Sequence, residues 1–91
     1  MALKKQIMLD NGIATNYHRI VSINKITNNT TIIEVASYIS EKQRFKEKNN
    51  KDSSVYIHTS YENVVYDETK TITDYYNLLQ TLEKYKYSEI I

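Results

Sequence analysis

The sequence predicts an α+β fold: an antiparallel four- to five-stranded β-meander with one C-terminal amphipathic helix packed on one face. Three observations carry that reading. Runs rich in β-branched residues recur along the first two-thirds of the chain, turn signals separate them, and after Thr69 the apolar period changes from two to three-and-four. With 91 residues, a single domain (1–91) is expected, because so short a chain buries only about two-thirds of its unfolded surface and has no core to divide.

The first strand is expected at about 3–9. It ends at Asn11-Gly12, which contains the only glycine of a chain without proline. Asn-Gly is the strongest short signal for a two-residue type I′ hairpin turn, since both central residues then need positive φ. The second strand, about 13–26, contains TNYHRIVSINKI, which is longer than an average strand and predicts a bend or bulge. Asn28-Asn29 marks the next turn, as asparagine tolerates the left-handed region.

The third strand, about 30–40, alternates clearly in TTIIEVASYIS, with Thr31, Ile33, Val35, Ser37 and Ile39 forming the better core face. EKQRFKEKNNKDSS then has no apolar repeat, so 41–53 reads as a charged, solvated loop with room for a helical start. Phe45 stands out within it, either tucked back onto the domain or presented as an anchor for a partner. A fourth strand, 54–66, follows in VYIHTSYENVVYDE, and Val64 to Tyr66 could form a short fifth segment. Finally, Ile72, Tyr75, Tyr76, Leu79 and Leu82 fall at helical spacing, widened by Leu78 and Tyr85, so a helix is predicted over about 72–87. Thr71 and Asp74 resemble a capping box at its start.

Composition narrows the function classes. Twelve basic residues face eleven acidic ones, so no strong field steers the chain towards nucleic acid or an anionic membrane. The absence of cysteine rules out a disulfide framework and thiolate chemistry. No run approaches the roughly 18 apolar residues of a membrane span, and no secretory signal is evident, so the expected setting is the cytosol, unless an assembly carries the protein out. Ten lysines against two arginines, with abundant isoleucine, asparagine and tyrosine, fit AT-rich coding, which weakens nine tyrosines as evidence of a binding surface.

Candidate chemistry is sparse. His18 and His58 have no partner at short metal-ligand spacing, so no metal site is assigned. Ser60, His58 and Glu62 share a strand face, yet such rows are frequent by chance and no glycine-rich oxyanion loop accompanies them, so an ordinary solvent-facing strand is the better reading and no catalytic residue is assigned. One glycine cannot build a phosphate-cradling loop, and no cofactor is expected. Asp67-Glu68 and Asp74 lie around the helix start, where negative charge opposes the helix dipole. The alternative function is single-stranded nucleic-acid binding, using Tyr17, Tyr38, Tyr56 and Tyr61 on strands with Lys42, Arg44, Lys46, Lys48 and Lys51 as a basic loop. Glu41, Glu47 and Asp52 dilute that loop.

One helix covers only part of a sheet, and bare edges invite association, so a homo-oligomer is expected. Ile90-Ile91 is an apolar finish consistent with this. The expected protein-contact residues are Phe45, Tyr85, Tyr87, Ile90 and Ile91.

MALKKQIMLDNGIATNYHRIVSINKI, TIIEVASYISEKQR and ITDYYNLLQTLEKY, in that order, resemble a group of small proteins encoded beside the tail, baseplate and tail-fibre genes of phages and prophages of low-GC Gram-positive bacteria. The resemblance covers most of the chain. It implies a non-enzymatic structural or assembly protein, with phage tail or baseplate proteins as partners. It places the protein in the bacterial host cytoplasm during assembly, and in the virion tail if it stays in the particle, and it supplies no catalytic residues.

Overall fold

In a computed structural model that describes residues 1–27, 29–49 and 58–91, five antiparallel strands form one sheet beside two helices. The strands are β1 (Leu3–Met8), β2 (Ala14–Lys25), β3 (Thr30–Tyr38), β4 (His58–Val65) and β5 (Glu89–Ile90), in the spatial order β4-β3-β2-β1-β5. The helices are α1 (Glu41–Asn49) and α2 (Ile72–Leu79), and a 3-10 turn at Glu83–Tyr85 follows α2. No helix among the described residues is long and apolar enough to cross a membrane.

The β1–β2 turn corrects one expectation. Gly12 alone has positive φ there, +84°, and Asn11 does not share it. The amide of Gly12 donates to the carbonyl of Leu9 at 2.9 Å and that of Leu9 to the carbonyl of Ile13 at 2.9 Å. This is a three-residue loop closed by a left-handed glycine, rather than a two-residue type I′ turn. A Cβ on Gly12 would meet nothing within 4 Å, so backbone conformation alone demands glycine. The β2–β3 turn repeats the pattern, with Asn29 donating to Ile26 and Ile26 to Thr30; Asn28 lies outside the described residues.

The register of β2 on β3 slips between Ile20 and Ser22, the irregularity expected of so long a strand. It keeps His18, Ile20 and Ile23 on the face that also carries Ser37, Val35 and Ile33. On β3, Thr31, Ile33, Val35 and Ser37 are buried, whereas Ile39 lies past the strand's end and is exposed. The apolar core joins Leu3, Ile20, Ile33 and Val35 to Tyr75, Tyr76 and Leu79 of α2 and to Tyr85, with Ile7, Ile23, Val64, Leu78, Leu82 and Ile90 packed around them. α2 therefore covers the face that includes Ile33 and Val35.

α2 starts where its capping box places it. The Thr71 hydroxyl accepts from the amide of Asp74 at 3.3 Å, and the Asp74 carboxylate accepts from the amide of Thr71 at 2.9 Å. It stops at Leu79, well short of the expected 87. Leu82 is extended (φ −80°, ψ 144°), and the 3-10 turn after it brings Tyr85 into the core. Leu79, Leu82 and Tyr85 are spaced by three, a period that a tighter turn serves as well as a helix.

Two further expectations change. The segment read as a charged loop over 41–53 with room for a helical start is helical over Glu41–Asn49, where the carbonyl of Ser40 accepts from the amides of Gln43 and Arg44 at 3.1 and 3.4 Å, and residues 50–53 lie outside the described residues. Glutamate, lysine, arginine and glutamine are good helix formers, and propensity here acts without an amphipathic stripe. The fifth strand is not the Val64 to Tyr66 segment, because Val64 and Val65 belong to β4. It is Glu89–Ile90, paired with Lys4 and Leu3 of β1. Residues 54–57 of the expected fourth strand lie outside the described residues.

Candidate functional site

Among the described residues, β4 is an edge strand of the sheet. Side chains alternate along it, with Ser60, Glu62 and Val64 half-buried beneath the α2 face and Tyr61 and Val65 turned outwards. Val65 is 82 % exposed and Tyr61 64 %. Between the end of β4 and α2 runs a groove of about 660 Å³ whose apolar wall is formed by Val64, Val65, Leu78 and Leu82. Asp67 and Lys70, 3.8 Å apart, stand at its rim.

The loop leading from this groove into α2 is fastened by short polar contacts. The Asp67 carboxylate accepts from the amide and hydroxyl of Thr69 at 2.9 and 2.6 Å, which holds it below the usual carboxylate range. Asp74 is lowered in the same way by its bonds from Thr71. The Lys25 ammonium donates to the carbonyls of Lys70 (3.1 Å) and Glu68 (3.3 Å) and lies 5.5 Å from the centre of the Tyr75 ring.

The expected contact residues do not form one surface. Phe45 on α1 is 63 % exposed and Tyr87 is 89 % exposed, so both are free to meet a partner. Tyr87 is also a non-glycine residue with positive φ, 69°, and Lys86 stands 5.3 Å from its ring. Ile91 is partly exposed in a hollow with Lys4, Tyr17 and Ser40, but its amide and carbonyl are bonded to Ala2. Ile90 packs against the core from β5. Tyr85 is corrected from contact residue to core residue: it has no exposed surface, and its hydroxyl lies 3.3 Å from that of Ser60. Burial raises the pKa of this phenol, the hydrogen bond from Ser60 opposes the rise, and the charge of Glu62 adds to it.

His18 and Ser37 form a buried polar pair towards the other end of the same face. His18 has no exposed surface, and its Nε2 lies 2.8 Å from the carbonyl oxygen of Lys5. A carbonyl only accepts, so Nε2 carries the proton and Nδ1 accepts from the Ser37 hydroxyl at 2.8 Å. The ring of Tyr85 meets the imidazole edge-on, with centroids 5.8 Å apart. Burial is the largest cause of a lowered His18 pKa; the charges of Lys84 and Lys5 act the same way and the bond to the Lys5 carbonyl opposes them. Sequence reasoning missed this cluster because its members come from β1, β2, β3 and the 3-10 turn.

The Ser60, His58 and Glu62 row is not the plain solvent-facing strand that was expected, since Ser60 and Glu62 are half-buried and Ser60 partners Tyr85. His58 is exposed beside a hollow of about 350 Å³ near Asp10 and Lys84. Among the described residues, no group of three or more His, Asp or Glu is placed to hold a metal ion. Of the tyrosines considered for stacking on bases, Tyr38 is fully buried against Tyr17, and Tyr61 donates to Glu34 at 3.2 Å. Tyr56 and Lys51 lie outside the described residues, as do the side chains of Lys46 and Lys48.

In comparisons with known proteins, no family model, no curated protein and no solved structure matches the chain.

Proposed function

We propose that this chain is a non-enzymatic structural or assembly protein that works through protein–protein contacts, first with further copies of itself, and that its setting is the tail or baseplate of a phage or prophage. The observation that carries the contact role is the β4 edge: an exposed Val65 that lines an apolar groove, with Tyr61 exposed further along the strand. An edge strand offers unpaired main-chain groups, and adjoining apolar side chains add the area that holds a partner once pairing begins. The tail setting rests on the resemblance of the MALKKQIMLDNG, IEVASY and ITDYYNLLQTLEKY stretches to small tail-region proteins.

Light scattering coupled to size exclusion, over a range of concentrations, tests the contact role. The expected mass is a multiple of 10.7 kDa, falling to the single-chain value in Val65→Lys. A single-chain mass at every concentration for the native protein overturns self-assembly. Mass spectrometry of purified particles and of tail assembly intermediates from the encoding phage tests the setting, and absence from both overturns it.

A further inference from the structure

The segment following α2 crosses the buried His18 and is held on the sheet by Tyr85 and Ile90 packed on the core and by a short main-chain ladder at its end. Its 3-10 turn accepts the Lys5 ammonium at the carbonyl of Lys84, 3.0 Å away. Tyr85 lies edge-on to the His18 ring. Beyond it, the Ser88 carbonyl accepts from the Gln80 side chain at 2.8 Å, and two residues of β5 pair with β1. The last rungs are Ala2 amide to Ile91 carbonyl at 3.0 Å and Ile91 amide to Ala2 carbonyl at 2.9 Å. The segment also holds Tyr87 at φ 69°, a conformation that a tyrosine disfavours and that undocking relieves.

We propose that residues 83–91 form an acid-released strap: proton uptake by His18 undocks them from the sheet and uncovers the edge of β1 at Ala2, Leu3 and Lys4.

The geometry supplies the coupling. While the strap is docked, the only place for a second proton is Nδ1, which already accepts from Ser37. Protonation forces the Ser37 hydroxyl to turn round and accept, and it leaves a cation with no exposed surface. The groups facing that cation do not offset it. From β1 comes Lys5 and from the 3-10 turn Lys84, both positive and both disfavouring the charge. His58 of β4 lies opposite Ser37 in the register, Glu62 of β4 bears on Tyr85, and the hydroxyls of Tyr75 and Tyr76 from α2 are bonded to main-chain groups elsewhere. Lifting Tyr85 and Lys84 away brings water to the ring and removes one of the two neighbouring ammonium groups. Lys5 and Ser37 lie in strands with longer ladders, so the strap is the element that gives way.

The sign follows from linkage. In the docked state the imidazole binds a proton more weakly than at its ordinary pKa of 6.5, and hydration on undocking moves it back towards that value. The stability that neutral His18 lends to docking is complete above 6.5 and is lost as pH falls below it, by about tenfold in the docking equilibrium per pH unit until the docked-state pKa is reached.

Hydrogen exchange by NMR tests this on the intact chain, read as protection factors at pH values above and below 6.5. The expected result is that the amides of Ala2 and Ile91 lose protection about tenfold per pH unit below that point while those of Ile33 and Val35 in β3 keep theirs. In His18→Gln, which has no titrating ring, the pH dependence at Ala2 and Ile91 disappears. Protection that is constant with pH at Ala2 and Ile91, or that falls in step with β3, overturns the strap. The native chain decides between these results even if the variant does not fold.

Discussion

The Tyr76 hydroxyl stands in for a missing rung of the sheet: it accepts from the amide of Ile20 at 2.8 Å and donates to the carbonyl of Met1 at 2.9 Å. β1 begins at Leu3, opposite His18, so the next inward-facing position of β2 has no partner strand residue to take its amide. A side chain from α2 fills the gap and ties the helix to two strands. Burial raises the pKa of this phenol, so at neutral pH it retains the proton it donates.

Tyr76→Phe keeps the ring and removes the bridge. The amide of Ile20, a residue only 5 % exposed, is then left buried without its acceptor, and the expected loss is about 1–3 kcal/mol. Urea unfolding measures it. A loss below about 0.5 kcal/mol, within the range of ordinary surface changes, would mean that the bridge contributes nothing net.

Thr31 is the reverse case. Its side chain has no exposed surface, and its hydroxyl has no hydrogen-bond partner among the described residues. Replacing that hydroxyl with a methyl of similar size removes a desolvated polar atom from beside Val64, its neighbour in the register. Thr31→Val should therefore stabilise the fold by about 1 kcal/mol, raising the urea midpoint without changing the slope. A lower midpoint would show that the hydroxyl finds a partner in solution.

At the start of α2, Thr71→Ala removes the capping hydroxyl and should cost about 1 kcal/mol in thermal or urea unfolding. A second readout separates the cap from general damage. Two bonds from Thr71, that of its backbone amide first and that of its hydroxyl second, hold the Asp74 carboxyl below its ordinary value; the variant keeps the amide and loses the hydroxyl, so the carboxyl's NMR titration should move part of the way up. The sign for the native protein follows: a lowered carboxylate pKa contributes stability that is present above the ordinary value and lost as pH falls through the lowered one. An unmoved Asp74 titration would break the link between cap and carboxylate.

These positions also show what a sequence can disclose. The antiparallel sheet and the α+β class were legible because alternation in β3 and the capping box are local patterns, each written within a few consecutive residues. Thr31, Ile33, Val35 and Ser37 fall on one face simply because strand side chains alternate. What stayed hidden depended on contacts between distant segments. β5 is two residues long and exists because Leu3 and Lys4 lie beside it. The end of α2 was illegible because Leu82 and Tyr85 continue the apolar stripe through a break in the helix. The contact residues divide along the same line: Tyr85 continues the apolar stripe of α2 and packs into the core, whereas Phe45 and Tyr87 lie off that stripe and stay exposed. His18 looked unpartnered because Lys5, Ser37 and Tyr85 reach it from three other elements.

Removing Ile90 and Ile91 distinguishes two meanings of an apolar finish. If the pair served mainly to join copies, its loss would lower the oligomer's mass and spare the fold, which is what the sequence alone suggests. The structure gives the pair an internal role instead: Ile90 packs on the core opposite Leu3, and Ile91 exchanges both main-chain hydrogen bonds with Ala2. Losing one half-buried isoleucine and two hydrogen bonds should cost about 2–4 kcal/mol, a large share of the stability of so short a chain. Urea unfolding of the shortened chain, beside its mass by light scattering, reads both quantities at once. A lower urea midpoint is expected, together with retained self-association through β4. Unchanged stability with reduced mass would return the pair to the interface and leave β5 without weight in the fold.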